Sequence, residues 1–455
     1  MNRGYRPLRL VIVGGVAAGM SAAARARRND QRAAITVVQK EEVLSYSACG
    51  FPYWFAGDIN REEELIARDP AWFRSKNIEI LARHEALRID VRRKALVVRN
   101  LRDSSQKSLL YDRLILATGA RAVVPQIEGR GLDGVFTLRH WHDALKISDF
   151  LQRRQPKNAL IVGAGYTGLE MAEALARKGL NVTIVEKNER LLRSAEEEIN
   201  RHILNNLRLN NVQIHCGRMV DAFSGKNAVA NAVLDNGREI AAEIVLISAG
   251  IKPQISLARD AGLRLGPSGA IAADSRMQTS EHTIFAAGDC AETKHLLTRK
   301  AVWMPLGTTA NKQGRVAADN ACGISSIFKG VMGTSVVRVF ELEVGQTGLG
   351  LEEAAKHFDD VESVAVEAPS RAGYFPGAQK VTVKLVFRKN DGLLLGGHLC
   401  GREGVAKRID VLATALAAKM TLADLSELDL SYAPPFAPVW DPLLVAANVG
   451  LKKVR

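Results

Sequence analysis

The stretch Leu160-Ile161-Val162-Gly163-Ala164-Gly165-Tyr166-Thr167-Gly168-Leu169-Glu170 decides the fold. An apolar strand runs into a glycine turn, and helix-forming residues continue from Leu169 to Arg177. In such a turn Gly163 makes the tight bend, Gly165 lets the backbone approach a pyrophosphate, and Gly168 permits close helix–strand packing. Gly179 ends the helix, and Val182-Thr183-Ile184-Val185 is the next strand. Glu186 closes that strand, 18 residues after Gly168. A carboxylate there binds a ribose 2′-OH and repels a 2′-phosphate, which favours NADH. Lys187 beside it pulls the other way and leaves NADPH open.

The same pattern stands near the N-terminus. Leu10-Val11-Ile12-Val13 leads into Gly14-Gly15-Val16-Ala17-Ala18-Gly19, a helix over Ser21–Arg28 and a strand over 35–38. Two such units predict two dinucleotides. The first loop departs from the pattern: Val16 holds the middle glycine position, and Gln39 stands where an acid would end the second strand. Two later strands support it. One runs from Leu114 into Thr118-Gly119-Ala120, and the other from Thr283 into Gly288-Asp289, whose carboxylate suits a sugar-alcohol hydroxyl.

With 455 residues, the chain has room for about three domains. From about Ser335 the pattern changes to alternating strands (336–340, 381–387, 393–399), with a hairpin at Asn390-Asp391-Gly392. Helices over 404–420 and 421–428 and a proline-rich stretch over 433–442 complete an α+β unit without a nucleotide loop. The composition, 47% apolar and 24% charged, is that of a globular protein. No apolar run is long enough to cross a membrane, and no secretory leader is recognisable. A net charge of +13 raises nucleic-acid binding, but the cations are spread along the chain and aromatics are only 5%, so it is not expected. The same charge suits a polyanionic small molecule. The nine histidines show no metal spacing beyond His140-x-His142, and no metal site is expected.

Cysteine chemistry points to one residue. The five cysteines lie far apart, which excludes a local dithiol or zinc ribbon and fits a reducing, cytoplasmic setting. Cys49 sits in Ser45-Tyr46-Ser47-Ala48-Cys49-Gly50-Phe51-Pro52-Tyr53, a small-residue turn into a helix start, where a thiol pKa is expected to fall. Cys216, Cys290, Cys322 and Cys400 read as inert packing.

Taken in order, GGVAAG, SYSACGFPY, ATGA, GAGYTGLE, AAGDCAE, PLGTTANKQGR and YAPPFAPVWDP resemble the flavin-dependent pyridine nucleotide–disulfide oxidoreductases, in particular the coenzyme A disulfide reductase branch. The resemblance spans essentially the whole chain. It implies an α/β fold: an FAD domain in two segments (1–119 and 249–330), an inserted NAD domain (120–248) and a C-terminal α+β dimerisation domain (331–455). It places Gly14, Gly15, Gly19, Gln39, Thr118, Gly119 and Asp289 at FAD. Gly163, Gly165, Gly168 and Glu186 fall at NAD(P)H, with Tyr166 and Glu170 lining the nicotinamide pocket. Cys49 becomes the single redox cysteine, forming a mixed disulfide with coenzyme A. Arg28, Ser45 and Tyr46 match positions near coenzyme A, and Tyr374 and Tyr432 match tyrosines that reach the partner subunit's site.

Three departures choose among relatives. Oxygen- and peroxide-reducing members carry a histidine where Ala17 stands. Larger disulfide reductases use a CxxxxC pair and a C-terminal histidine, yet no histidine follows His398, which leaves Tyr432 for proton handling. No rhodanese domain is expected after YAPPFAPVWDP. The expected activity is NADH-dependent reduction of coenzyme A disulfide in a homodimer. The alternatives are persulfide or polysulfide reduction and NADH oxidation on the same scaffold. An electron-transfer flavoprotein and a nucleotide-binding redox sensor also remain open.

Overall fold

A computed structural model describes residues 6–454; the ends of the expected outer segments, 1–5 and 455, lie outside the described residues. The first two units are each built on a five-stranded parallel sheet. In one the order is Ile284–Ala286, Arg113–Leu116, Arg9–Val13, Ala34–Val38, Ile78–Leu81. In the other it is Gln213–Cys216, Asn181–Glu186, Asn158–Val162, Ile244–Ile247, Val135–Phe136. In each, the strand before the glycine loop is central. Leu10, Ile12, Leu160 and Ile161 are fully buried, as strands covered on both faces require. Each glycine loop therefore leaves the carboxyl end of a central strand, at the crevice where such sheets bind ligands. Each sheet also carries a three-stranded antiparallel flap, over 84–110 and 220–241.

The chain passes from the first sheet to the second and back once. The two crossings, Ala120–Ala122 and Ile251–Pro253, pair with each other antiparallel. The C-terminal unit is a five-stranded antiparallel sheet in the order Ser335–Val339, Leu342–Gly348, Leu394–Gly401, Lys380–Arg388, Val361–Pro369. Helices Val405–Ala418 and Pro442–Leu451 share one core with Val383, Leu385 and Phe387. Lys384 points the opposite way, as strand alternation requires, and meets Glu196 and Glu198 of the second unit at 2.8 and 2.9 Å.

Several elements differ from expectation. Both glycine helices begin earlier, at Ala17 and Tyr166, because the last glycine of each fingerprint belongs to the helix rather than to the turn. A Cβ at Gly19 would run into the Gly14 carbonyl, and one at Gly168 into that of Gly163. Strands Leu342–Gly348 and Val361–Pro369 were not expected. Nor was helix Pro442–Leu451, which has Asp441 as N-cap, its carboxylate accepting from Leu443 N at 2.9 Å. That helix is apolar nearly all round, so no amphipathic period marks it.

Candidate active site

The two glycine loops repeat one geometry. Gly14 and Gly163 hold φ of 109° and 106°, and their N–H groups donate to Val38 O and Val185 O at 2.9 and 2.8 Å. One residue further on, Gly15 N donates to Gln39 Oε1 and Ala164 N to Glu186 Oε2, each at 2.8 Å. Gln39 and Glu186 thus occupy equivalent places and hold the loops from below. Glu186 is buried, and its second oxygen accepts from the backbone and side-chain amides of Asn188. Both oxygens are engaged within the chain, which the expectation of a ribose-reading carboxylate had not foreseen.

Neither glycine helix has a side-chain cap, so its first N–H groups are left for an anion. A Cβ at Gly165 or Gly119 would meet no atom, leaving open space over the loops. These features fit a pyrophosphate at each loop. Thr118 donates its hydroxyl to Gln254 O at 2.6 Å. Gly288, against Ala18 of the first glycine helix, brings Asp289 to the first loop. Asp289 is salt-bridged to Arg139, a partner the sequence did not reveal, and its carbonyl accepts from Trp303 Nε1 at 2.7 Å.

The cysteine segment is tied directly to the first loop. Ser45 N donates to Gly15 O at 2.8 Å, with Ser45 held at φ 56°. Cys49 lies in a single 3₁₀ turn, Ala48–Gly50, followed by the short helix Phe51–Ala56 with Pro52 in its first turn. Its side chain opens to solvent on one side and is walled in on the others. The expected fall in thiol pKa is not found. Burial and the carboxylates of Glu170 and Asp289 push it up, and Arg139 offsets only part. A single 3₁₀ turn presents too little dipole to reverse this.

Glu170 belongs to the same cleft. Tyr53 donates its hydroxyl to Glu170 Oε1 at 3.1 Å, and burial pushes the Glu170 carboxyl up to about 7. Arg338 of the C-terminal unit lies over the Tyr53 ring, 5.1 Å from its centre, and bridges Asp58 at 2.6 Å and Glu173 at 3.2 Å. Tyr53, Arg139 and Arg338 carry no local signal; each gains its role from residues more than 100 positions away.

The other expected site residues divide. Tyr46 is buried against Phe51 and Trp141, with its hydroxyl on Glu41 at 2.7 Å, and so frames the cysteine segment. Arg28 is exposed in the last turn of helix Ala17–Asn29, while buried Arg27 holds backbone carbonyls. Tyr374 and Tyr432 are exposed, with their hydroxyls 3.4 Å apart. Their segments are joined by Ala372 N to Pro434 O and braced by buried Arg408, which binds Asp441 and Ser370 O. Beside them Phe436, Val439 and Trp440 are 82%, 64% and 62% exposed, a surface far more apolar than a lone subunit ordinarily leaves uncovered.

Two nucleotide loops converging on one cysteine define a nucleotide-linked oxidoreductase. The chain belongs to the pyridine nucleotide-disulphide oxidoreductase family: residues 8–314 match that family, and residues 334–442 match its dimerisation domain. It is accordingly an FAD- and NAD(P)H-using enzyme that pairs as a homodimer. It is 39% identical to the NAD(P)H coenzyme A polysulfide/persulfide reductase of Pyrococcus horikoshii, over 97% of this chain and 98% of that one. Among solved structures it superposes on the reduced CoADR-RHD of Bacillus anthracis with a TM-score of 0.96 (35% identity, 99% of this chain, 81% of that one). On the NAD-dependent persulfide reductase of A. fulgidus the TM-score is 0.95 (39% identity, 98% and 83%). No helix among the described residues is long and apolar enough to cross a membrane.

Proposed function

We propose that the protein reduces the disulfide of a small thiol, coenzyme A disulfide foremost, with NAD(P)H in a reducing, cytoplasmic setting. The carrying observation is Cys49. It is open to solvent, bound to the first glycine loop through Ser45, and has no cysteine partner among the five free thiols. Bound FAD supplies the two-electron path between NAD(P)H and sulfur. Gly14, Gly15, Gly19, Gln39, Thr118, Gly119 and Asp289 would hold it, and Gly163, Gly165, Gly168 and Glu186 would hold NAD(P)H.

The Cys49 thiolate attacks one sulfur of the disulfide, forming Cys49–S–S–R and expelling RS⁻. Two-electron reduction of that mixed disulfide returns the Cys49 thiolate and frees the second thiol. Glu170 and the trans Tyr432 are the groups that hold protons beside these sulfurs. Exposed Arg28 and the +13 charge suit the phosphates of coenzyme A. A second reading, persulfide or polysulfide reduction, uses the same cysteine and is supported by the names of the Pyrococcus and A. fulgidus relatives.

Anaerobic NAD(P)H oxidation with coenzyme A disulfide, polysulfide and a persulfide, and with oxygen in parallel, tests this. Coenzyme A disulfide should give the highest kcat/KM, Cys49→Ser should abolish it, and intact mass should show a reducible coenzyme A adduct on Cys49. Full activity of Cys49→Ser would overturn the cysteine assignment.

A further inference from the structure

Tyr166 is the first residue of the second glycine helix, directly after Gly165. Its hydroxyl turns away from the loop toward the C-terminal sheet. There it shares a hydrogen bond of 2.7 Å with Ser335 Oγ and accepts another from Gln346 Nε2 at 3.1 Å. Ser335 and Gln346 are register partners on neighbouring strands, and Gln346 is in turn the partner of His398. These four residues, with Leu192 and other mostly apolar neighbours, line a small cavity of about 10 Å³. Leu192 N donates to Ala164 O at 3.0 Å, so the cavity lies directly behind the glycine loop. His398 is 3% exposed, and its Nε2 makes no hydrogen bond but lies toward Gly350 and Glu196.

We propose that Ser335 and Gln346 of the dimerisation unit are positioning residues for Tyr166. A tyrosine ring that only packed behind the loop would need no hydroxyl, and phenylalanine would avoid desolvating one. Here the hydroxyl is met by two side chains of another structural unit. Its anchoring fixes the ring before nucleotide arrives, and preorganisation of this kind acts on binding. The inference rests on the proposed place of Tyr166 in the nicotinamide pocket.

The test uses the holoenzyme with ferricyanide as acceptor, chosen so that turnover does not need Cys49, together with titration of NAD⁺ binding. Failure of the disulfide reading would show with coenzyme A disulfide but not in these two measurements. Ser335→Ala and Tyr166→Phe should each raise the KM for NADH and the Kd for NAD⁺ about three- to tenfold, the worth of a hydrogen bond to a partly buried hydroxyl, with less change in kcat. Ser335→Thr should restore both. The double variant should be no worse than Tyr166→Phe alone, because the bond that Ser335→Ala removes is already lost with the hydroxyl. A lowered Tm with unchanged KM and Kd, or fully additive losses, would overturn the proposal. Should Ser335→Ala fail to fold, Tyr166→Phe, which keeps the ring, carries the test alone.

Discussion

Replacing Glu170 by glutamine should stabilise the protein at alkaline pH and leave it nearly unchanged at acid pH. The carboxyl titrates near 4.5 when freely solvated and near 7 in the folded chain, with burial as the leading cause and the Tyr53 hydroxyl a partial offset. The folded state therefore binds its proton more tightly than the unfolded chain does. Below pH 4.5 both states are protonated, and the site costs nothing. Between 4.5 and 7 the unfolded chain ionises first, and stability falls as pH rises. Above 7 both are ionised and the full difference is lost, about 3 kcal/mol at 1.36 kcal/mol per pH unit. Glutamine fills the same space, still accepts from Tyr53 and cannot ionise. Denaturant midpoints of wild type and Glu170→Gln at pH 5.0 and pH 8.5 measure this directly. The variant should gain on the order of 3 kcal/mol at pH 8.5 and about a sixth to a third of that at pH 5.0. An equal effect at both pH values would refute the burial argument, and a loss at pH 8.5 would show that the ionised form is favoured. The same carboxylate raises the Cys49 pKa, so Glu170→Gln should also lower the pH midpoint of alkylation at Cys49.

Two further outcomes follow from other parts of the site. Glu186→Ala leaves the buried Ala164 N–H without an acceptor, at a cost of about 1–3 kcal/mol. KM should rise for NADH and NADPH alike, whereas a rise confined to NADH would return Glu186 to reading the ribose. Cys49→Ser and Tyr432→Phe chains, each inactive as homodimers, should complement when co-expressed equally. Half the dimers are then mixed and one site in each is intact, giving about a quarter of wild-type activity; no recovery would place both residues of a site on one chain.

Residues whose chemistry is set by local backbone geometry were legible in the sequence. Gly14, Gly19, Gly163 and Gly168 are required by positive φ or by a carbonyl where a Cβ would sit, and that requirement reads the same without coordinates. Cys49 stood out for the same reason, in a segment whose turn binds it to the first loop. What stayed hidden is non-local. Nothing near Asp289 announces Arg139, nothing near Glu170 announces Tyr53, and Arg338 reads as one cation among 62. The thiol pKa was misjudged for a related reason. The helix start was visible, but the carboxylates that converge on Cys49 come from distant strands and helices. Tyr46, which the resemblance puts near coenzyme A, packs into an aromatic cluster that includes Trp141, 95 residues away, a contact no local pattern announces.

The paired crossings Ala120–Ala122 and Ile251–Pro253 bear on how such a chain is inherited. Ala122 and Ile251 are direct partners, so everything between them enters and leaves through one narrow neck. A segment whose two ends are neighbours can be cut out and replaced without stretching what remains. A graft made at that neck can therefore exchange nucleotide preference and keep the first loop, but it carries the sulfur chemistry with it unless Arg139 and Glu170, which the segment lends to the Cys49 cleft, are retained.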